Sequence, residues 1–223
     1  MALTNYRIDT VLNSIFPSNT YIITDVTKGE SLIIDPGLDT IAIHTKIAQL
    51  SLNPVGIVAT HGHFDHIGSV SDLKDTFQIP YFLHEADLKI SKSANFYLKM
   101  VRLQHKIVTP IPDMLIKGLE QQVEIGSFSF NCYNFPGHTD GSCLLQFGDI
   151  IFSGDLIYKR GLGFNHFPGE NKDKLRESII QIFDLLPGET MMYPGHGEPA
   201  LLSGIKTENE ELSNFLNLNK QTK

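Results

Sequence analysis

The sequence predicts an α/β fold (α+β in some schemes), with β-sheets covered by helices. Two observations carry this. Short apolar runs alternate with amphipathic stretches at helical spacing, and the gaps between them are short. No Gly/Ser/Pro linker, repeat or low-complexity tract divides the 223 residues. They therefore read as one domain, 1–223, with a basic helical insertion at about 86–118. At 41% apolar and 19% charged, the chain has the material for a packed core and does not read as disordered, collagen-like or coiled coil.

The elements follow in order. Residues 19–24 and 31–35 read as paired strands around a Lys28-Gly29-Glu30 turn, and Asp35-Pro36-Gly37 ends the second. Residues 38–50 read as a helix, with Ile43, Ile47 and Leu50 on one stripe and Asp39 as its cap. Residues 55–60 form a short apolar run, the mark of a strand buried on both faces. A helix at about 66–75 and a strand at 80–83 follow. Residues 89–106 hold Lys89, Lys92, Lys99, Arg102 and Lys106 and no acid. Phe96, Tyr97, Met100 and Val101 give that stretch an apolar side, so it reads as one or two amphipathic helices. Residues 128–135 and 142–152 read as strands, the latter broken at Gly148-Asp149. The clearest helix is 171–186, striped by Leu175, Ile179, Ile182 and Leu186, capped by Asn171 and stopped by Pro187. Residues 205–218 read as the last helix.

Composition narrows the partners. The net charge of −7 disfavours non-specific nucleic-acid binding, which depends on neutralising phosphates. No apolar run reaches the ~18 residues that a membrane span needs. Met1 to Arg7 show neither a basic nor an apolar leader segment, so the cytoplasm is the expected compartment. Cys132 and Cys143, without CxxC spacing, agree with reducing surroundings, and Cys143 reads as a small core residue.

The chemistry is concentrated in Thr60-His61-Gly62-His63-Phe64-Asp65-His66-Ile67-Gly68, directly after the buried strand. In extended chain, residues i and i+2 point the same way, so His61 and His63 can grip one metal ion. Asp65 and His66 sit where the chain turns into a helix and can face a second ion. Three later segments also set a donor beside glycine after a strand, namely Pro136-Gly137-His138-Thr139, Ser153-Gly154-Asp155 and Pro194-Gly195-His196-Gly197. Glycine beside a ligand lets the backbone approach closely. Five histidines and two aspartates suit two divalent ions that share one carboxylate.

These pieces resemble the metallo-β-lactamase superfamily, and within it the hydroxyacylglutathione hydrolase (glyoxalase II)-like branch. Asn19-Thr20-Tyr21, Ile34-Asp35-Pro36-Gly37, Pro136 to Ser142 and Tyr193 to Gly197 match it as well, in the family's order. The resemblance implies an αββα sandwich of two β-sheets flanked by helices, with the metals at one edge. It implies His61, His63 and His138 on the first metal and Asp65, His66 and His196 on the second. Asp155 would bridge them, and Asp35 would support the ligands from behind. The ions would be Zn2+, with Fe or Mn as alternatives. The activity implied is hydrolysis of a small, anionic acyl-thiol, such as a hydroxyacylglutathione, by a metal-bound hydroxide that Asp65 orients and deprotonates.

Two features differ from that branch. Its loop after the bridging aspartate carries Gly-Arg-x-Asp, whereas here Phe164 and His166 stand at the arginine and aspartate positions. The sequence also ends soon after Leu218, without the C-terminal helical domain that supplies part of the glutathione site there. Lys159, Arg160 and the basic stretch are the candidates for holding substrate carboxylates. His166 either lines the pocket or serves the loop. His44 and His105 are expected exposed, and His84 is expected at a helix cap or the surface. Other activities use the same ligands. A persulfide dioxygenase would hold one Fe(II) on His61, His138 and Asp155, and a lactonase would use the whole set.

Overall fold

The computed structural model describes residues 5–217. Met1 to Thr4, part of the segment read for a leader, and Leu218, the expected end of the last helix, lie outside the described residues.

Two six-stranded sheets face each other. The first takes its strands in chain order: β1 (Tyr6–Leu12), β2 (Asn19–Asp25), β3 (Glu30–Ile34), β4 (Pro54–Val58), β5 (Tyr81–His84) and β6 (Met114–Ile116). β1 to β3 are antiparallel, and β3 to β6 run parallel. The second sheet runs from β7 (Glu120–Ile125) through β8 (Phe128–Asn134), β9 (Cys143–Phe147), β10 (Ile150–Gly154) and β11 (Met191–Pro194) to β12 (Ala200–Leu201). Its one parallel pair is β10 with β11. Among the described residues no helix is long and apolar enough to cross a membrane.

Strand periodicity explains the continuous apolar runs. Ile23, Leu32, Ile34 and Val58 point inward, where they meet Phe128, Phe130, Phe147 and Phe152 of the other sheet. Their neighbours Ile22, Ile33 and Ile57 point outward into a second core. The helices α1 (Thr40–Gln49), α2 (Phe64–Ile67), α3 (Val70–Phe77), α4 (Leu88–Lys92) and α5 (Ala94–Met100) cover that face. On the far side Leu144, Ile151 and Met192 pack under α6 (Lys172–Leu185), α7 (Leu202–Glu208) and α8 (Glu210–Asn217). The result is the expected αββα layering. The caps form as read: Asp39 accepts from Ala42 N, and Asn171 accepts from Asp173 N and Lys174 N.

Several boundaries differ from the sequence reading, each for a physical reason. β1, β6, β7 and β12 were not legible; they are the four edge strands, and edges carry short or polar sequences. The helix expected at 66–75 is two. It starts at Phe64 and breaks at Gly68-Ser69, where Ser69 N donates to Pro36 O and Ser69 Oγ to Gly37 O, while Asp65 O accepts from Ser18 Oγ in place of the helical bond. The last helix also breaks, at buried Asn209, whose side chain bonds Gly161 N, Gly161 O, Tyr158 O and Leu212 N. The segment at 86–118 is helical only to Met100, and Met114–Ile116 is a strand of the first sheet. Cys132 and Cys143 are buried and form no disulfide.

Candidate metal centre

Five donors follow the C-terminal ends of strands and Asp65 and His66 sit on α2, and all of these meet at one edge of the sandwich. β4 delivers His61 and His63, β8 delivers His138, β10 delivers Asp155 and β11 delivers His196. This is where open sheets of this kind hold ligands.

Two groups of donors form, each with its ligand atoms within 4.8 Å of one another: His61, His63 and His138, and Asp65, His66, Asp155 and His196. In the first, His63 Nδ1 lies 3.1 Å from His61 Nε2 and 2.9 Å from His138 Nε2. In the second, Asp65 Oδ2 lies 3.3 Å from His196 Nε2 and 3.5 Å from His66 Nε2. Asp155 touches both groups. Its Oδ2 is 3.1 Å from His196 Nε2 and 3.7 Å from His138 Nε2, and its Oδ1 is 3.4 Å from His66 Nε2.

The donor chemistry fits divalent cations. His138 Nδ1 donates to Gly163 O at 2.9 Å and His66 Nδ1 to Asp35 Oδ2 at 3.0 Å, which leaves a lone pair on each Nε2 pointing inward. His66 Nε2 and Asp155 Oδ1 are buried with no hydrogen-bond partner, a costly arrangement that a bound cation relieves.

The supports are equally specific. Asp35 adopts φ +51°, a conformation that aspartate tolerates better than most residues. There its carboxylate accepts from Thr60 N at 2.6 Å, Thr60 Oγ1 at 2.7 Å and His66 Nδ1. A Cβ on Gly195 would run into the Asp155 carboxylate and the His66 ring, so that approach requires glycine.

Protonation does not follow the two groups: burial works against a charged His138, but Glu170 and Asp155 outweigh it and raise that ring, while the other two histidines of its group are lowered. Burial, then the neighbouring His138, pushes His63 down to about 3, and burial with His66 pushes His61 down too. Burial works against a charged His196, but Asp155 and Asp65 outweigh it and hold the ring at about 10. Asp155 is held well below the usual carboxylate range: His196 and His66 outweigh its burial. A cation and a proton therefore compete for His196. Ion uptake at pH 8 is expected to release at least one proton per chain, and affinity is expected to weaken as pH falls. Calorimetry in two buffers of different ionisation enthalpy reads this directly.

A sequence model described as the metallo-beta-lactamase superfamily matches residues 14–196. The chain belongs to the metallo-β-lactamase superfamily. It is 28% identical over 200 residues to the probable metallo-hydrolase YqgX of Bacillus subtilis (strain 168), covering 89% of this chain and 93% of that one. Among solved structures, it resembles the BLEG-1 B3 metallo-beta-lactamase with a TM-score of 0.79 and 30% identity, over 93% of this chain and 100% of that one. It also resembles TTHA1623 in a di-iron-bound form, with a TM-score of 0.81 and 28% identity, over 91% and 98% of the two chains.

In this metallo-β-lactamase relative, the seven predicted donors and Asp35 come together at one centre. The substrate candidates do not all join them. Lys159 and Arg160 line an adjoining cleft of about 460 Å³ that shares Tyr158 and His196 with the centre, and Lys159 Nζ is paired with Glu198 at 2.7 Å. His166 is exposed at φ +60°, its ring against Phe164; Asn165 and Phe167 line the cavity over the donors instead. The remaining histidines lie away from the centre. His84 is buried and accepts from Ala86 N as a cap, so the surface alternative falls away. His44 is half-buried against Asp72 and Phe77, and His105 is exposed.

Two supports were not legible. Asp87, fully buried, accepts from Gly62 N at 2.7 Å, Gly141 N at 2.7 Å and Thr139 Oγ1 at 2.8 Å. It ties the His61-Gly62-His63 loop to the His138-Thr139 loop. Glu170 places Oε1 3.4 Å from His138 Nδ1 and accepts from Asn165 N and Phe167 N. Its side chain is 1% exposed. Neither residue sits in a spacing pattern, and the acid before the Asn171 cap is the one local cue to Glu170. Glu170→Ala is expected to weaken metal affinity by roughly 10–100-fold, and Glu170→Gln by less, because the amide oxygen still accepts from the loop. Competition with a chromogenic chelator measures both.

Proposed function

We propose that this metallo-hydrolase cleaves the thioester of a small acyl-thiol, and that His61, His63 and His138 would hold one divalent ion and Asp65, His66 and His196 a second, with Asp155 within reach of both groups. The observation that carries the reading is Asp155 in contact with both donor groups at the floor of a cavity of about 470 Å³. Ions bound there supply Lewis acidity, which polarises a carbonyl and acidifies water near neutral pH.

The chain's own residues do the rest. Burial works against ionisation of Asp65, but His66 and the His196 hydrogen bond outweigh it and hold the carboxyl below its usual range. An ionised carboxylate on the cavity wall is placed to accept the proton of the attacking water. The ring proton of His138 is committed to Gly163 O, which fixes its orientation. Tyr97, on the wall, donates its hydroxyl to Pro168 O at 2.9 Å and is not free as a proton donor. A thiolate departs without needing a proton from that hydroxyl. Thiol carriers bear carboxylates or phosphates, and the Lys159–Arg160 cleft offers such groups a cationic contact.

The test is metal analysis of protein purified without added metal, then a panel of thioesters, lactones and persulfides. About two zinc, iron or manganese ions with thioester cleavage is the expected result. One iron per chain with oxygen uptake on glutathione persulfide overturns it. Asp65→Asn is expected to lower kcat on the best thioester by roughly 10²–10⁴-fold.

A further inference from the structure

The two ends of the centre differ in chemistry. At the His63 end stand Tyr97, its ring centroid 5.3 Å from that of His63, and Phe167 at 6.3 Å. Phe16 and Phe64 complete that side, packed edge to face at 5.1 Å. Apart from the donor residues themselves, no charged side chain lines this cavity among the described residues. Asn165 is its one amide. At the His196 end, Tyr158 lies 5.7 Å from the ring and leads into the cleft of Lys159 and Arg160.

We propose that the aromatic end is an acyl-group site selective for an apolar acyl chain or aryl ring, over a hydroxylated or charged one. Charge complementarity orients the substrate. A scissile carbonyl lying between the donor groups has one half of its molecule on each side. Lys159 and Arg160 outnumber Glu198 in the cleft, so the anionic carrier half is matched there. The acyl half then lies against Tyr97, Phe167, Phe16 and Phe64, where a carboxylate finds no counter-charge and apolar surface is removed from water. Phe164, at the position where the resembling branch carries arginine, adds no cation to this side; it is half-buried against the core under α6. The substrate so defined differs from the small hydroxyacyl group that the sequence resemblance implies. The assignment of the two halves rests on the thioesterase reading; the selectivity of the pocket does not.

The test separates the two. Calorimetry on the zinc-loaded protein measures binding of acetate, lactate, butyrate, hexanoate and phenylacetate. In parallel, the glutathione thioesters of the same acids are assayed for hydrolysis. Affinity is expected to rise about fourfold per added methylene until the pocket is full, with phenylacetate well above lactate. Phe167→Ala is expected to flatten the series, and Phe16→Ala, on a separate loop, is the second variant should the first not fold. Affinities equal within threefold across the acids, or lactate above butyrate, overturn the proposal. Graded binding of the acids without cleavage of any thioester leaves the acyl site standing and removes the thioesterase reading. Cleavage without grading does the reverse.

Discussion

Asp155→Ala is expected to lower thioester hydrolysis by on the order of 10³-fold or more and to cut metal content to one ion per chain or fewer. The carboxylate contacts both donor sets, through His138 on one side and His66 and His196 on the other. Losing it removes a ligand from each ion and leaves two buried imidazoles facing a hole. Ion-mediated stabilisation of a developing oxyanion amounts to several kcal/mol, and ~4 kcal/mol is about 10³ in rate. Metal analysis of the purified variant and kcat/KM on the best thioester are the measurements. Two ions with wild-type hydrolysis would remove Asp155 from the centre.

Asp87→Ala carries the second large effect, chiefly on stability. It leaves Gly62 N and Gly141 N as buried donors without a partner, while Thr139 Oγ1 keeps Ser142 Oγ at 2.8 Å. Each orphaned donor costs about 1–3 kcal/mol, so the sum is about 4 kcal/mol. For a chain of this size that lowers Tm by roughly 8–16 °C. Because the two loops held together by Asp87 carry His61, His63 and His138, metal affinity is expected to fall as well. Asp87→Asn keeps an acceptor and is expected to recover part of both losses. Thermal unfolding with and without added zinc separates the contributions: if excess zinc restores the wild-type Tm, the loss lies in metal binding alone.

The legible and illegible parts of this protein divide along contact range. β2, β3, β4, α1 and α6 were readable because each announces itself within a dozen residues, through an apolar run, a stripe or a cap. β1 was not, since its alternation of Tyr6 and Ile8 with Arg7 and Asp9 is short and ends at Thr10, and its pairing with β2 makes it a strand. β7 shows the same: only Val123 and Ile125 of its six residues are buried. The donors were readable for a local reason too. His61 and His63 share a side of extended chain, and each later donor sits beside a glycine after a strand.

The supports and the selectivity belong to the other class. Asp87 reaches Gly62 across 25 residues and Gly141 across 54. Glu170 reaches His138 across 32 positions of chain, and the aromatic wall draws Phe16, Tyr97 and Phe167 from three separate segments. Residue order alone sets the donor types, their succession and the strands that present them, because these follow from short-range geometry. Strand order and loop packing select the acids that brace the donors and the rings that wall the cavity, because a buried hydrogen bond or apolar contact depends on where the chain returns in space.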